Sequence, residues 1–246
     1  MSRTETLPAA VVDLAMRLGV QPAADPPCVN LTQTGHIRRS LESDSWMAFK
    51  ASQTIATHRC AFDWRARVGR FGLIAGRDAL DDGDGRFDIT ALGVLPLARA
   101  KHTPALVRGE LMRYLAEIAW APHAILHNPA LRWRVDGPDT LSVGAGVGAT
   151  AAEVILGLDG DGRIATAFAP DRPRSATPPI LPTPWHGRFS GYRLVDTIWL
   201  PMSAEVAWTL QATEIVYWRC RVESWRADAV EADRGRSKRS RMTGTP

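Results

Sequence analysis

Cysteine is scarce in these 246 residues, and Cys28, Cys60 and Cys220 lie too far apart for a CxxC pair. An odd, scattered set argues against a disulfide framework and suits a reducing compartment, with the thiols buried or half-buried. Long apolar runs are missing too, since none approaches the roughly 18 residues of a membrane-spanning helix. Asp13 and Arg17 interrupt the first apolar stretch, which therefore reads as an amphipathic helix rather than an export signal. A cytoplasmic location is the expectation. Several enzyme signatures are also lacking: there is no GxSxG elbow, no Walker loop and no HExxH pair. The run from Gly144 to Ala149 does not complete a GxGxxG fingerprint, and no βαβ unit surrounds it. Its glycines suit a bent strand or a close backbone approach. No cofactor is expected.

Acidic excess is absent as well, but the net charge of +4 misleads. Arg234, Arg236, Lys238, Arg239 and Arg241 stand near the C-terminus without an acid among them. Without those five, 25 basic residues face 26 acidic ones, so the body is nearly neutral. Residues 226–246 read as a disordered basic tail, and no nucleic-acid partner is expected.

Tryptophan is what the chain has in quantity. Five of its nine tryptophans lie between Pro184 and Trp225, spread over successive strand-like segments. Each such ring has about 150–250 Å² to bury. Carried on one face of a curved sheet, the rings would line a wide apolar interior.

The remaining pattern supplies the sheet. Val11, Leu14, Ala15 and Leu18 recur at helical spacing within Leu7–Gly19, and a Pro/Ala-rich linker follows, so residues 1–27 form a helix and linker. Strands are expected over Val29–Arg38, Ser45–Thr57, Ala61–Val68, Phe71–Arg77 and Phe87–Leu97. A long helix is expected over Pro104–Ala121, with Arg108, Glu110 and Arg113 as polar positions and Pro122 as its stop. Strands resume over Leu131–Val135, Thr140–Val147, Ala152–Leu158, Ile164–Ala169 and Phe189–Val222. Six prolines between Pro170 and Pro184 predict a long rim loop. The fold class is α+β: a strongly curved antiparallel sheet over residues 28–225, wrapped around one long helix.

Six segments occur in an order that resembles a family of uncharacterised bacterial proteins. They are Gln33–Arg38, Trp46–Gln53, Phe62-Asp63-Trp64, Arg113–Pro122, Pro184–Gly187 with Tyr192, and Glu205–Trp208. The resemblance spans nearly all of Leu7 to Val222. It implies a half-open β-barrel of the lipoprotein-carrier kind and carries no activity. Members often keep a glycine in the last hairpin, where this chain has Ala212-Thr213-Glu214.

The candidate residues follow from both readings. Arg113 and Glu117, four apart, share a helix face as an ion pair. A carboxylate facing an aromatic hollow loses solvation and gains proton affinity, which would make Glu117 a general acid or base, although Arg113 opposes that shift. Gln53 is a neutral amide suited to orienting a ligand or to bonding backbone in a bent strand. Trp46, Trp64, Trp120, Trp185, Tyr192 and Trp208 are candidate contacts for an apolar guest. His123 and His127 are spaced like half a zinc site, but no further ligands complete it, so no metal is expected. The acids from Asp78 to Asp88 read as a solvated hairpin, not a calcium loop. Two functions stay open: binding of a lipid- or isoprenoid-like molecule, or a cofactor-independent isomerase or cyclase using Glu117. Oligomeric state is not legible.

Overall fold

A computed structural model describes residues 7–81, 83–91, 95–100, 102–175 and 179–228. The proposed basic tail beyond Asp228 lies outside the described residues. Helix α1 (Ala9–Arg17) is followed by six strands: β1 (Cys28–Arg38), β2 (Trp46–Ala56), β3 (Phe62–Val68), β4 (Ile74–Asp81), β5 (Asp84–Ala91) and β6 (Leu95–Ala100). A helical crossing comprises α2 (Pro104–Ala116), a 3-10 turn over Glu117–Ala119 and α3 (His123–His127). Seven more strands complete the chain: β7 (Arg132–Gly137), β8 (Thr140–Ala145), β9 (Ala152–Leu158), β10 (Ile164–Pro173), β11 (Pro182–Val195), β12 (Ile198–Leu210) and β13 (Thr213–Ala227).

All thirteen strands form one antiparallel sheet, ordered β6-β5-β4-β3-β2-β1-β13-β12-β11-β10-β9-β8-β7. Each half is a meander, and the two halves are joined where β1 pairs with β13. Strands β6 and β7 are unpaired edges, so the sheet is not closed. It must nevertheless curve. Helix α2 packs against β4 and β5 and also against β8, β9 and β10. In a flat sheet β4 and β10, seven spacings apart, would be separated by ~34 Å, three times the ~10–12 Å width of a helix.

The sequence explains both helices. Thr103 caps α2 by accepting from the Leu106 amide at 3.1 Å, and Pro104 fills the first turn where no amide donor is needed. Helix α1 buries Val11, Leu14 and Ala15 on one face. It ends at Gly19, whose φ is +87° and where a Cβ would lie 1.9 Å from the Thr197 carbonyl oxygen, so no side chain fits. Gly35 meets a similar limit without a special φ. A Cβ there would lie 2.2 Å from the Arg219 carbonyl and 2.7 Å from the Phe49 ring.

Four expectations need correction. The long helix stops at Ala116 and tightens into a 3-10 turn, with Trp120 and Ala121 amides bonding back three residues before Pro122. Glu110 and Arg113, expected only as polar positions of the helix, are buried and nearly buried, because α2 has sheet on more than one side. Phe87–Leu97 is two paired strands rather than one, with Ala91 opposite Leu95. The Pro170–Pro184 stretch is largely strand: β10 continues to Pro173 and pairs it with Pro182. Pairing of β10 with β9 ends at Phe168, so these prolines sit where no second ladder needs their missing amide.

The last hairpin keeps a left-handed turn without glycine, as Gln211 and Ala212 have φ of 48° and 62°. Two such residues between paired Leu210 and Thr213 form the tight turn that matches strand twist. Ala212→Gly is therefore expected to raise stability by about 1 kcal/mol. A urea midpoint that stays put or falls would contradict strain at this turn.

Candidate functional site

The inward faces of β3, β11, β12 and β13 carry Trp64, Trp185, Trp208 and Trp218, and the 3-10 turn is followed by Trp120. These five rings line one cavity of about 510 Å³. They also pack on one another and on phenylalanines: Phe49 stacks on Trp218 at 5.8 Å, and Trp120 meets Phe189 edge-on at 5.5 Å. Three of the five indole donors are satisfied, Trp120 by the Pro201 carbonyl (2.9 Å), Trp64 by Gln33 (3.1 Å) and Trp185 by Tyr217 (3.1 Å). A ring so anchored cannot rotate freely, which gives the cavity a defined shape.

One wall is charged. Arg113 Nε donates to Glu117 Oε1 at 2.8 Å, and Arg113 Nη1 donates to Asp78 Oδ2 on β4. Its guanidinium also lies over the rings of Phe62 and Trp64, at 4.8 and 5.2 Å. Gln53 Nε2 donates to the other oxygen of Glu117. Glu110 joins this group from the preceding turn of α2, and Arg172 enters from β10, donating to the Gly109 carbonyl at 3.2 Å. Arg172 covers the faces of Trp185 and Trp208, 4.6 and 5.6 Å from their centroids.

The wall thus holds three carboxyls and two guanidiniums. Burial, and next the charge of Asp78, raises Glu110 well above the usual carboxylate range. Asp78 Oδ1 and Glu110 Oε2 have no other hydrogen-bond partner among the described residues, and a Glu110 carboxyl that keeps its proton can donate it toward Asp78. With that proton kept, the three carboxyls and two guanidiniums carry no net charge. Burial works against the charge on Arg113, but the Glu117 and Asp78 carboxylates outweigh it and hold the guanidinium ionised.

Of the residues singled out in the sequence, Arg113, Glu117, Trp64, Trp120, Trp185 and Trp208 meet at this cavity. Gln53 stands behind Glu117 and does not line it. Trp46 lies elsewhere, between the guanidiniums of Arg38 and Arg219 at 5.1 and 4.6 Å. Tyr192 also sits apart, donating to the Ile164 carbonyl at 2.7 Å. Asp78, Glu110 and Arg172 were missed. Glu110, Arg113 and Glu117 recur at i, i+3 and i+7, a helix stripe that could have exposed the first of the three. Asp78 was read as part of a wet turn, yet it lies opposite Trp64 on β4 and faces inward.

The other reactive groups stand outside this arrangement. Burial lifts the Cys28 and Cys60 thiols to about 11, keeping both protonated near neutrality. His123 is buried against Trp225, and burial lowers it to about 4. No cluster that could hold a metal occurs among the described residues.

Two solved structures resemble the chain. A DUF1329 family protein from Desulfovibrio piger matches with a TM-score of 0.50 and 12% identity, over 93% of this chain and 94% of its own. That likeness is one of fold. A LolA superfamily protein from Nitrosomonas europaea matches with a TM-score of 0.46 and 8% identity, over 89% and 94%. No curated protein matches the chain. A family model described as a family of unknown function, DUF6920, matches residues 5–226, and the chain belongs to that family.

Proposed function

We propose that this protein binds an apolar or amphipathic small molecule of lipid or isoprenoid type in the tryptophan-lined cavity. The sheet is read as wrapped around α2, so that helix and strands enclose the guest from opposite sides. The carrying observation is the cavity itself: about 510 Å³, walled by five indoles, with Asp78, Glu110, Arg113, Glu117 and Arg172 among its polar groups. Such polar groups in an apolar pocket fix the orientation of an amphipathic guest. Because one proton neutralises the polar wall, a neutral hydroxyl-type head matches it better than a fully charged one.

One observation favours the alternative, a cofactor-independent isomerase or cyclase: Glu110 lines the cavity, and its burial there raises its proton affinity. It replaces Glu117 as the acid in that reading, because both Glu117 oxygens are engaged by Arg113 and Gln53. Against it, the faces of Trp64, Trp185 and Trp208 that would steady a developing cation already meet guanidiniums.

Gly187 on β11 offers the test. A Cβ there makes ordinary contacts at 3.6 and 3.9 Å, and Gly187 lines the cavity. Gly187→Leu should keep the fold, abolish any copurifying apolar molecule seen by native mass spectrometry, and weaken its rebinding at least about tenfold. Repeated isolation of empty wild-type protein, or equal binding by the filled variant, would sink the proposal.

A further inference from the structure

The outer face of the same sheet carries a second feature that the cavity does not use. Cross-strand register sets Arg67 opposite Lys50, Lys50 opposite Thr34, and Thr34 opposite Arg221, in one row across β3, β2, β1 and β13. The neighbouring row sets His36 opposite Arg219. Residues between these positions, such as Phe49, Val68 and Cys220, are buried, which places both rows on the outer side. The rows border a groove of about 1090 Å³ that also receives Arg70 from the β3–β4 connection.

Elsewhere on the sheet several arginines are matched to acids. Arg65 and Arg77 hold Asp63, Arg86 and Arg99 hold Asp88, and Arg134 holds Asp136 and Glu153. Lys50, Arg67, Arg70, Arg219 and Arg221 have no ion pair among the described residues. Like charges placed directly opposite, as in Lys50 and Arg67, destabilise a sheet unless an anion lies between them. The single acid lining the groove, Glu205, is held by Arg188.

Beside this basic strip the β3–β4 hairpin raises an apolar tip. Phe71 is 76% exposed and Leu73 51% exposed, and the Arg70 guanidinium lies 5.5 Å from the Phe71 centroid. Gly69, Arg70 and Gly72 line the end of the groove, so tip and cations form one surface. A basic groove alone would suit any polyanion. Two exposed apolar side chains next to it suit a surface with anionic phosphates outside and hydrocarbon beneath.

We propose that this outer face docks on an anionic phospholipid surface, with lipid phosphates along Lys50, Arg67 and Arg221 and with Phe71 and Leu73 entering the acyl boundary. The inference does not depend on what the cavity holds.

Co-sedimentation of the full chain with vesicles tests it, comparing phosphatidylcholine alone with a mixture containing phosphatidylglycerol. Binding is expected only to the anionic mixture, falling with added salt. The triple variant Lys50→Gln/Arg67→Gln/Arg221→Gln should bind about 100-fold more weakly. Removing those cations relieves repulsion in the folded sheet, so the loss cannot be ascribed to unfolding when the melting temperature is unchanged or higher. Phe71→Ser/Leu73→Ser should weaken binding about tenfold. Three results would each overturn the proposal. One is failure of the wild-type chain to bind anionic vesicles. Another is undiminished binding by the triple variant, which would assign the attraction to the basic residues beyond Asp228. The third is tight binding of a duplex oligonucleotide together with no effect of the Phe71/Leu73 change.

Discussion

Replacing Arg113 with methionine is expected to cost about 3–5 kcal/mol of folding stability, the usual penalty for stranding a buried ion. Arg113 alone touches Asp78 and Glu117 together, and its guanidinium covers Phe62 and Trp64. Without it, these carboxylates and Glu110 lie in a buried wall with Arg172 as the remaining cation. A loss of packing alone would not be repaired by changing the carboxylates. Combining Arg113→Met with Asp78→Asn and Glu117→Gln should recover most of the lost stability, because an apolar or neutral substitute for a whole buried ionic group is often neutral or better. Urea denaturation of the single and triple variants separates the two accounts. A triple variant no more stable than Arg113→Met would assign the residue to packing and remove the electrostatic argument.

Glu110→Gln carries the second large expectation, and its sign follows from the direction of the shift. Burial and the Asp78 charge place Glu110 well above the unfolded value near 4.5. Below that value both folded and unfolded chains hold the proton, and its contribution to stability is fully present. As pH rises toward the folded pKa, the unfolded chain has lost its proton and the folded one has not. Stability then declines by about 1.4 kcal/mol per pH unit from this group and levels off once Glu110 itself ionises. Glutamine has no proton to lose, and its amide can donate to Asp78 Oδ1 in the carboxyl's place. The variant's stability should match the wild type near pH 4.5 and exceed it by a growing margin above. Urea midpoints across pH 4.5–8 report that difference. Parallel curves would show that Glu110 is ionised in the fold, and the neutral wall would fall with it.

The two results bear on function through the same residues. A neutral polar wall accepts a hydroxyl head, whereas an ionised Glu110 would favour a cationic one. If Glu110→Gln leaves ligand uptake intact, the carrier reading stands. If it leaves uptake intact while abolishing turnover of that ligand, the acid–base alternative takes its place.

Much of the sheet was legible because it is built from local signals. The alternation in Phe62–Val68, the Asp159–Gly162 turn and the apolar spacing in α1 each act within a few residues. Errors fell where a distant neighbour decided the outcome. Pro173 is tolerated in β10 because the β9 ladder reaches only Phe168, and β9 itself ends at Leu158, well back along the chain. Trp46 has the composition of a cavity residue, but register turns it outward between two arginines. A shift of one residue along a strand reverses its face, and no local preference sets that register here.

The amino-acid sequence by itself determined the antiparallel, mostly β fold, the family and the store of indole rings awaiting burial. It also placed Arg113 and Glu117 on one face, because four residues along a helix return to the same side. Only the tertiary structure decided which groups share a wall. Asp78, Glu110, Glu117, Arg113 and Arg172 come from β4, α2 with its following turn, and β10, elements brought together when the sheet curves. The physical reason is that charge pairing and desolvation depend on distances through space, and those distances arise from the curvature of thirteen strands taken together.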